Sequence, residues 1–203
     1  MTKAWPVTLR EDTARGVVLL RPLRRRDAQT WLRLRAANQS WLEPWEATSP
    51  GGPTGSTTFG EYVRLLSQQA RSGATAPFAV ELDGELVGQL TVSSITYGSL
   101  CSAAIGYWVS QDVAGRGVIP TAVAMATDYC FQVLGLHRVE INIRPENDRS
   151  LRVVAKLGFR DEGVRERYLH IQGQWRDHRT FALTSEDVPG GLLARWQRTR
   201  AQG

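Results

Sequence analysis

Residues 114–121 read Ala114-Gly115-Arg116-Gly117-Val118-Ile119-Pro120-Thr121, a glycine turn that opens an apolar helical stretch. An apolar strand, Ile105 to Val109, stands ahead of it, and about thirty residues further on comes Arg144-Pro145-Glu146-Asn147-Asp148-Arg149-Ser150, running into Lys156-Leu157-Gly158-Phe159. The first turn of a helix leaves backbone N–H groups without partners, so a glycine turn placed there is a surface for phosphate. This geometry aims the N–H groups of Gly115, Arg116, Gly117, Val118 and Ile119 at one point, and the Arg116 guanidinium adds a charge-assisted contact. Pro120 lacks an N–H, which a first helical turn tolerates. Standing alone, Gly-x-Gly fits an ordinary turn equally well. Asn147 reads as a helix cap with Asp148 favouring the helix start. Ser150 falls in the first turn, where its hydroxyl can also meet a ligand.

Outward from these segments the periodicity alternates between strand and helix. Val17 to Leu23 reads as a strand ended at Pro22, and Arg26 to Asn38 as a helix with Asp27 near its start. Residues 39–56 hold Trp41, Pro44, Trp45, Pro50, Gly51, Gly52, Pro53 and Gly55 and read as a long irregular loop. Thr57 to Ser72 has helical spacing. Phe78 to Leu82, the turn Asp83-Gly84 and Glu85 to Val92 form a hairpin signal. A strand over Ala103–Val109, a helix over Thr121–Leu134 closed by Gly135, a strand over Arg138–Ile143 and a helix over Asn147–Leu157 closed by Gly158 follow. Phe159–Ile171 and Trp175–Leu183 are two strands joined at Gln172-Gly173, and the tail from Leu192 to Gly203 reads as basic and frayed. Hairpins mixed with β-α-β crossovers imply one mixed sheet with helices on its faces, in a single domain over 1–203 with a core of about 17–187.

The chain has 203 residues, 42% hydrophobic and 22% charged, which is the balance of an ordinary water-soluble globular domain. Its net charge of +5 is carried almost wholly by arginine, with Lys3 and Lys156 the two lysines. That excess suits an anionic ligand without singling one out. Cys101 and Cys130 lie in apolar stretches and read as buried reduced thiols rather than a disulfide framework. The first residues carry no apolar run of signal-peptide type and no stretch nears the ~20 apolar residues of a membrane span, so the expected location is cytoplasmic, without a membrane partner. His137, His170 and His178 are not at metal-ligand spacing, and no metal is expected. His178 beside Asp177 suggests a dyad, with plain strand positions as the alternative. A Gly-x-Ser-x-Gly elbow and a phosphate-binding P-loop motif are both missing.

With these segments in hand the chain resembles the GCN5-related N-acetyltransferases (GNAT), and within them the ribosomal-protein-alanine (RimJ-like) branch. The resemblance runs from about Val17 to Asp187. It is carried by Trp41-Leu42-Glu43-Pro44-Trp45, Ile105-Gly106-Tyr107-Trp108-Val109, Gly115-Arg116-Gly117, Asn147 through Phe159, and Tyr168-Leu169-His170-Ile171-Gln172-Gly173-Gln174-Trp175-Arg176-Asp177-His178. It implies an α/β fold with a mixed, mostly antiparallel twisted sheet of about seven strands and about four helices on its faces. It also implies acetyl-CoA as co-substrate. Trp108, Val109, Gly115, Arg116 and Gly117 are then expected to bind it, with Val118, Ile119, Thr121, Asn147 and Ser150 continuing the site. The family's pyrophosphate pattern, Gln/Arg-x-x-Gly-x-Gly/Ala, falls on Ala114, Gly117 and Ile119, and only the glycine matches. Many members protonate the leaving thiolate with a tyrosine that this chain lacks between Asn147 and Phe159; Ser150 stands at the motif's serine and takes the acid's place.

Acetyl transfer needs a neutral amine. An α-amino group, with a pKa near ~7.7–8.0, supplies far more of it at neutral pH than a lysine near ~10.4. The oxyanion needs backbone donors, expected at Trp108-Val109. Glu140 and Asn142 share one strand face. If that face looks into the cleft, Glu140 accepts the proton; the other reading is a solvated or salt-bridged carboxylate. Glu43 and Glu46 bind the substrate ammonium or are ordinary loop carboxylates. Trp41 and Trp45, with Tyr168, line the acceptor or pack the loop. The expected activity is direct transfer from acetyl-CoA to an Ala- or Ser-type protein N-terminus, a ribosomal protein's for preference, by a monomer or homodimer. The competing readings are a small amine acceptor (antibiotic or polyamine) and a non-catalytic coenzyme- or RNA-contacting protein using Arg24-Arg25-Arg26, Arg195, Arg198 and Arg200. No RNA-recognition motif supports specific nucleic-acid binding.

Overall fold

Asp83 and Gly84 both take positive φ (51° and 85°), the turn that matches the twist of the strands it joins. That hairpin seeds an eight-stranded sheet: β1 Leu9–Thr13, β2 Gly16–Pro22, β3 Ala76–Leu82, β4 Glu85–Thr96, β5 Ser102–Val109, β6 Arg138–Ile143, β7 Arg160–Ile171 and β8 Gln174–Thr184. The order across the sheet is β1-β2-β3-β4-β5-β6-β8-β7, antiparallel throughout except between β5 and β6. The helices are α1 Ala28–Ala37, α2 Gln39–Leu42, α3 Phe59–Arg71, α4 Val118–Asp128, α5 Asp148–Leu157 and α6 Leu192–Ala201. This computed structural model describes residues 5–52 and 58–201. Pro53 and Gly55 of the expected loop, the helix start at Thr57, the opening residues 1–4 and the last two residues of the tail lie outside the described residues.

The sheet has a helix layer on each face. On one, α4 lies against β1, β2, β4 and β5 with every residue from Val118 to Thr127 buried. On the other, Trp31 and Leu34 of α1 and Phe59, Tyr62, Val63 and Leu66 of α3 cover Leu23, Ala79 and Leu86. Thr58 caps α3 by accepting the Glu61 N–H while the Glu61 carboxylate takes the Thr58 N–H. Between the layers Arg21 is buried with two carboxylates, reaching Asp27 at 2.7 and 2.9 Å and Glu81 at 2.6 Å. This network ties the end of β2 and the start of α1 to β3. Among the described residues no helix is long and apolar enough to cross a membrane.

Four expectations are corrected. The sheet has β1 in addition to the strands read from the sequence. Residues 39–45 are not irregular: they form α2 and a 3-10 turn at Glu43–Trp45. The tail is not frayed. Leu192 and Trp196 belong to the main core, and the Asp128 carboxylate caps α6 by accepting the N–H groups of Leu192 (2.6 Å) and Leu193 (3.0 Å). Two apolar anchors and a cap supplied from α4 outweigh the basic composition. Of the two free cysteines Cys130 is buried, whereas Cys101 is half-exposed at a positive-φ position beside Gly135.

One close approach positions the site. A Cβ added to Gly88 of β4 would stand 2.3 Å from the Trp108 carbonyl oxygen of β5. That atom is backbone and cannot swing away, so Gly88→Ala must push β5 out. We expect it to cost about 1–3 kcal/mol, read as a lower denaturant midpoint. An unchanged midpoint would show that β5 yields freely.

Candidate active site

β5 and β6 part company. Their parallel ladder covers only Ser102–Ala104 with Arg138–Glu140, yet both strands continue, to Val109 and Ile143. The gap exposes one edge of β5, and hydrogen-bond alternation decides which residues face it. The Trp108 carbonyl points at Gly88 and the Ser110 N–H bonds to the Val87 oxygen at 2.8 Å, so these two face β4. Val109 and Tyr107 therefore turn their backbone groups into the gap. The Val109 carbonyl is taken there by the Trp41 indole N–H at 3.0 Å, which leaves the Val109 N–H facing the gap. The expected pair Trp108-Val109 thus reduces to Val109 for this purpose. The gap opens into a cleft of about 690 Å³.

One end of the cleft is the glycine turn. Gly115 and Gly117 take φ of 84° and 86°, a region open to glycine, and Gly117 caps α4. Helix geometry and the hydrogen bonds of the described residues leave the N–H groups of Gly117, Val118 and Ile119 unpaired. The Arg116 N–H departs from the expected convergence: it turns back to the Val113 oxygen at 3.3 Å, and its side chain is exposed outside the cleft wall. Thr121 is also set back, its hydroxyl donating to the Gly117 oxygen at 2.9 Å and accepting from the Trp196 indole at 3.0 Å. It holds the turn instead of lining the cleft. Cations missed in the sequence gather nearby. Arg149, Arg152 and Lys156 of α5 line the cleft. Arg15 reaches the Gly115 oxygen at 3.5 Å, and the Arg200 guanidinium lies 4.0 Å from where a Gly117 Cβ would be. The i, i+3, i+7 spacing of the α5 cations was visible; the approach of Arg200 depended on docking α6.

On the far side of the gap, Asn147 caps α5 through its side-chain oxygen, which accepts the Ser150 N–H at 3.1 Å. Ser150 lines the cleft beside Tyr107 of β5. The Tyr107 hydroxyl is sealed from solvent and has no partner in hydrogen-bond geometry, and burial pushes its pKa up to about 12, a rise moderated by Ser150. The sequence reading quoted Tyr107 without giving it a role.

The segment from Asn38 to Thr48 straps across the gap. Buried Asn38 ties to Ser110 and to the Gln111 N–H. Trp41 holds the Val109 carbonyl and lies under the Arg149 guanidinium at 4.3 Å. Arg144 donates to the Pro44 oxygen at 2.8 Å and covers Trp45, and the Thr48 N–H bonds to the His170 oxygen at 2.8 Å. Trp41, Trp45 and Glu46 line the cleft, and Glu46 is ion-paired with Arg35, whose guanidinium sits over Trp31 and Trp108.

The other expected acceptor-side residues stand elsewhere. Glu43 is exposed on the 3-10 turn, outside the cleft wall. Glu140 is held by Arg138 at 2.9 Å and Arg165 at 2.8 Å, so the salt-bridged reading applies and its face does not look into the cleft. Asn142 accepts from the Thr180 hydroxyl, and the Tyr168 hydroxyl accepts from Arg165 at 3.2 Å. His178 and Asp177 form no dyad: the imidazole is buried on the Arg176 oxygen and the carboxylate accepts the Arg167 N–H. Burial lowers the His178 pKa. Among the described residues no group of three or more His, Cys, Asp or Glu side chains is placed to hold a metal.

The profile of the acetyltransferase (GNAT) domain matches residues 18–160. The [ribosomal protein uS5]-alanine N-acetyltransferase of Escherichia coli (strain K12) is 30% identical over 176 residues, 85% of this chain and 91% of that protein. The spermidine N(1)-acetyltransferase of the same organism is 29% identical over 164 residues, 79% of this chain and 82% of that protein. The solved structure of Mycobacterium smegmatis RimJ in complex with CoA-disulfide superposes with a TM-score of 0.91 at 42% identity, covering 98% of each chain.

Proposed function

The chain belongs to the GNAT acetyltransferase family, and from that premise we propose that it transfers acetyl from acetyl-CoA to the free α-amino group of a protein N-terminus. A ribosomal protein beginning with alanine or serine is the acceptor we favour. The observation that carries this reading is the free β5 edge at Val109, with the glycine turn at one end of the cleft and the Glu46 carboxylate, carried by the strap, in its wall.

The chemistry follows from those residues. The N–H groups of Gly117, Val118 and Ile119 and the cations of α5 fit a pyrophosphate. The Val109 N–H is placed to stabilise an oxyanion on the thioester carbonyl. Glu46 orients the ammonium group, and an α-amine needs little help to shed its proton near neutral pH. Transfer is direct: burial pushes the Cys130 thiol up to about 12, and neither cysteine lines the cleft, so no activated thiol is at hand to carry the acetyl group. A polyamine acceptor has a relative in its favour, but several ammonium groups call for several carboxylates, and among the described residues Glu46 is the single one in the cleft wall. The non-catalytic RNA reading loses two of its arginines: Arg195 is turned onto the Leu157 oxygen and Arg200 onto the glycine turn.

The test is mass analysis after incubation with acetyl-CoA of three acceptors: a ribosomal N-terminal peptide starting with alanine, the same peptide N-blocked with a free lysine, and spermidine. Acetylation of the free N-terminus alone is expected. Acetylation of spermidine alone would replace this reading with the polyamine one.

A further inference from the structure

A buried hydroxyl with no hydrogen-bond partner is costly and calls for a reason. Tyr107 carries one in the wall of the cleft, on the strand whose free edge also holds the Val109 N–H, two residues away. Its ring packs against the main core, which fixes the hydroxyl in place. Ser150, in the first turn of α5, is the side chain that meets it. The Asn147 cap engages only the Ser150 N–H, so the Ser150 hydroxyl is left to orient itself.

A serine hydroxyl has one proton to give and two lone pairs to receive with. A donor behind it decides which way the proton points. We propose that Tyr107 is a positioning residue: with coenzyme bound, the Ser150 oxygen comes within hydrogen-bond reach of the unpartnered Tyr107 O–H, which then donates to it and turns the Ser150 O–H outward into the cleft, toward the sulfur of the departing coenzyme thiolate. The inference rests on the reading of the cleft as the acetyl-CoA site. In the step it serves, the bond between the acyl carbon and sulfur breaks with its electron pair going to sulfur. The carbonyl re-forms from the oxyanion, and the attacking nitrogen gives up its proton to Glu46 or water. Tyr107 and Ser150 keep their protons. Ser150 lends a hydrogen bond to the thiolate, in place of the full proton transfer expected of it from the sequence, and the thiolate is protonated by water as it is released. The high pKa of Tyr107 keeps it a donor across the working pH range.

The experiment titrates the thiol of free CoA bound to the enzyme, followed by thiolate ultraviolet absorbance, for the wild type, Tyr107→Phe, Ser150→Ala and the double variant. It needs no acceptor. Each single variant is expected to raise the bound thiol's pKa by about one unit, the double variant no further, because the two act as one unit. With a peptide acceptor, kcat falls about tenfold in each while KM for acetyl-CoA holds within twofold. A bound-thiol pKa unmoved by Tyr107→Phe, or losses that add in the double variant, overturn the proposal. CoA that does not bind the wild type overturns both this and the coenzyme reading of the cleft. The expected thiol shift without acetylation of any peptide supports the proposal and removes only the acceptor reading.

Discussion

Arg21→Met is expected to destabilise the protein by about 3–5 kcal/mol at neutral pH. The change removes the one cation from a buried site that holds two carboxylates, Asp27 and Glu81. In the native chain, burial acts to raise the Asp27 pKa, but the Arg21 hydrogen bond and the Arg24 N–H outweigh it and hold the carboxyl below its ordinary value. A depressed folded-state pKa contributes stability above the unfolded value, lost as pH falls through the folded one. In the variant the sign reverses: without Arg21 the burial that acts to raise the Asp27 pKa is less opposed, so acid relieves it. The gap in unfolding free energy between the two proteins should therefore narrow from pH 7 toward pH 4. Denaturant melts across that range decide it. A gap that stays the same across that range would mean that Arg21 stabilises through packing of its stem rather than through its charge. Arg21→Met combined with Asp27→Leu and Glu81→Gln should recover much of the loss, since what harms the single variant is the charge left behind. The consequence reaches function because Asp27 leads into α1, which delivers Trp31, Arg35 and Asn38 to the acceptor side.

How far such features could be read without coordinates depends on where their signal resides. The hairpins at Asp83-Gly84 and Gln172-Gly173 and the α5 boundaries at Asn147 and Gly158 are local, set by φ and capping chemistry, and all stand where the pattern placed them. β1 was not legible because Arg10, Glu11 and Asp12 leave too little apolar alternation in five residues; it exists by pairing with β2. α6 was masked in the same way. Its arginines read as a loose tail, while its cap comes from Asp128, sixty-four residues earlier.

The site divides along the same line. The glycine turn and the Asn147–Ser150 turn are contiguous in sequence and were found there. What faces the gap was not, because it depends on where β5 and β6 separate. That divergence is set by ladder length, which no spacing rule reports. It sends Glu140 to Arg138 and Arg165, and it leaves Glu46, delivered by the strap, as the cleft carboxylate. Tyr107 was visible as a residue but not as an orphaned hydroxyl, since being without a partner is a property of its surroundings.

Gly117→Asp should abolish most coenzyme binding while leaving the fold largely intact. At φ 86° any side chain is strained, at about 1–2 kcal/mol. The new Cβ would point toward the Arg200 guanidinium, 4.0 Å away, so an aspartate there neutralises one of the cations at the turn. Its carboxylate also competes for the α4 N-terminal N–H groups as an N-cap would, and this favourable contact offsets part of the strain. The same carboxylate repels the pyrophosphate from the donors it has taken. These effects act on the ligand together, and we expect acetyl-CoA affinity to fall at least ~100-fold, about 2.7 kcal/mol. Calorimetric titration with CoA measures the loss directly, and a thermal melt shows whether the fold survives. Gly117→Ala separates the terms: it carries the strain without the charge and should weaken binding by roughly tenfold or less. If Gly117→Asp binds CoA within threefold of the wild type, the phosphates do not lie on the start of α4, and the cations on α5 must hold them elsewhere along the cleft.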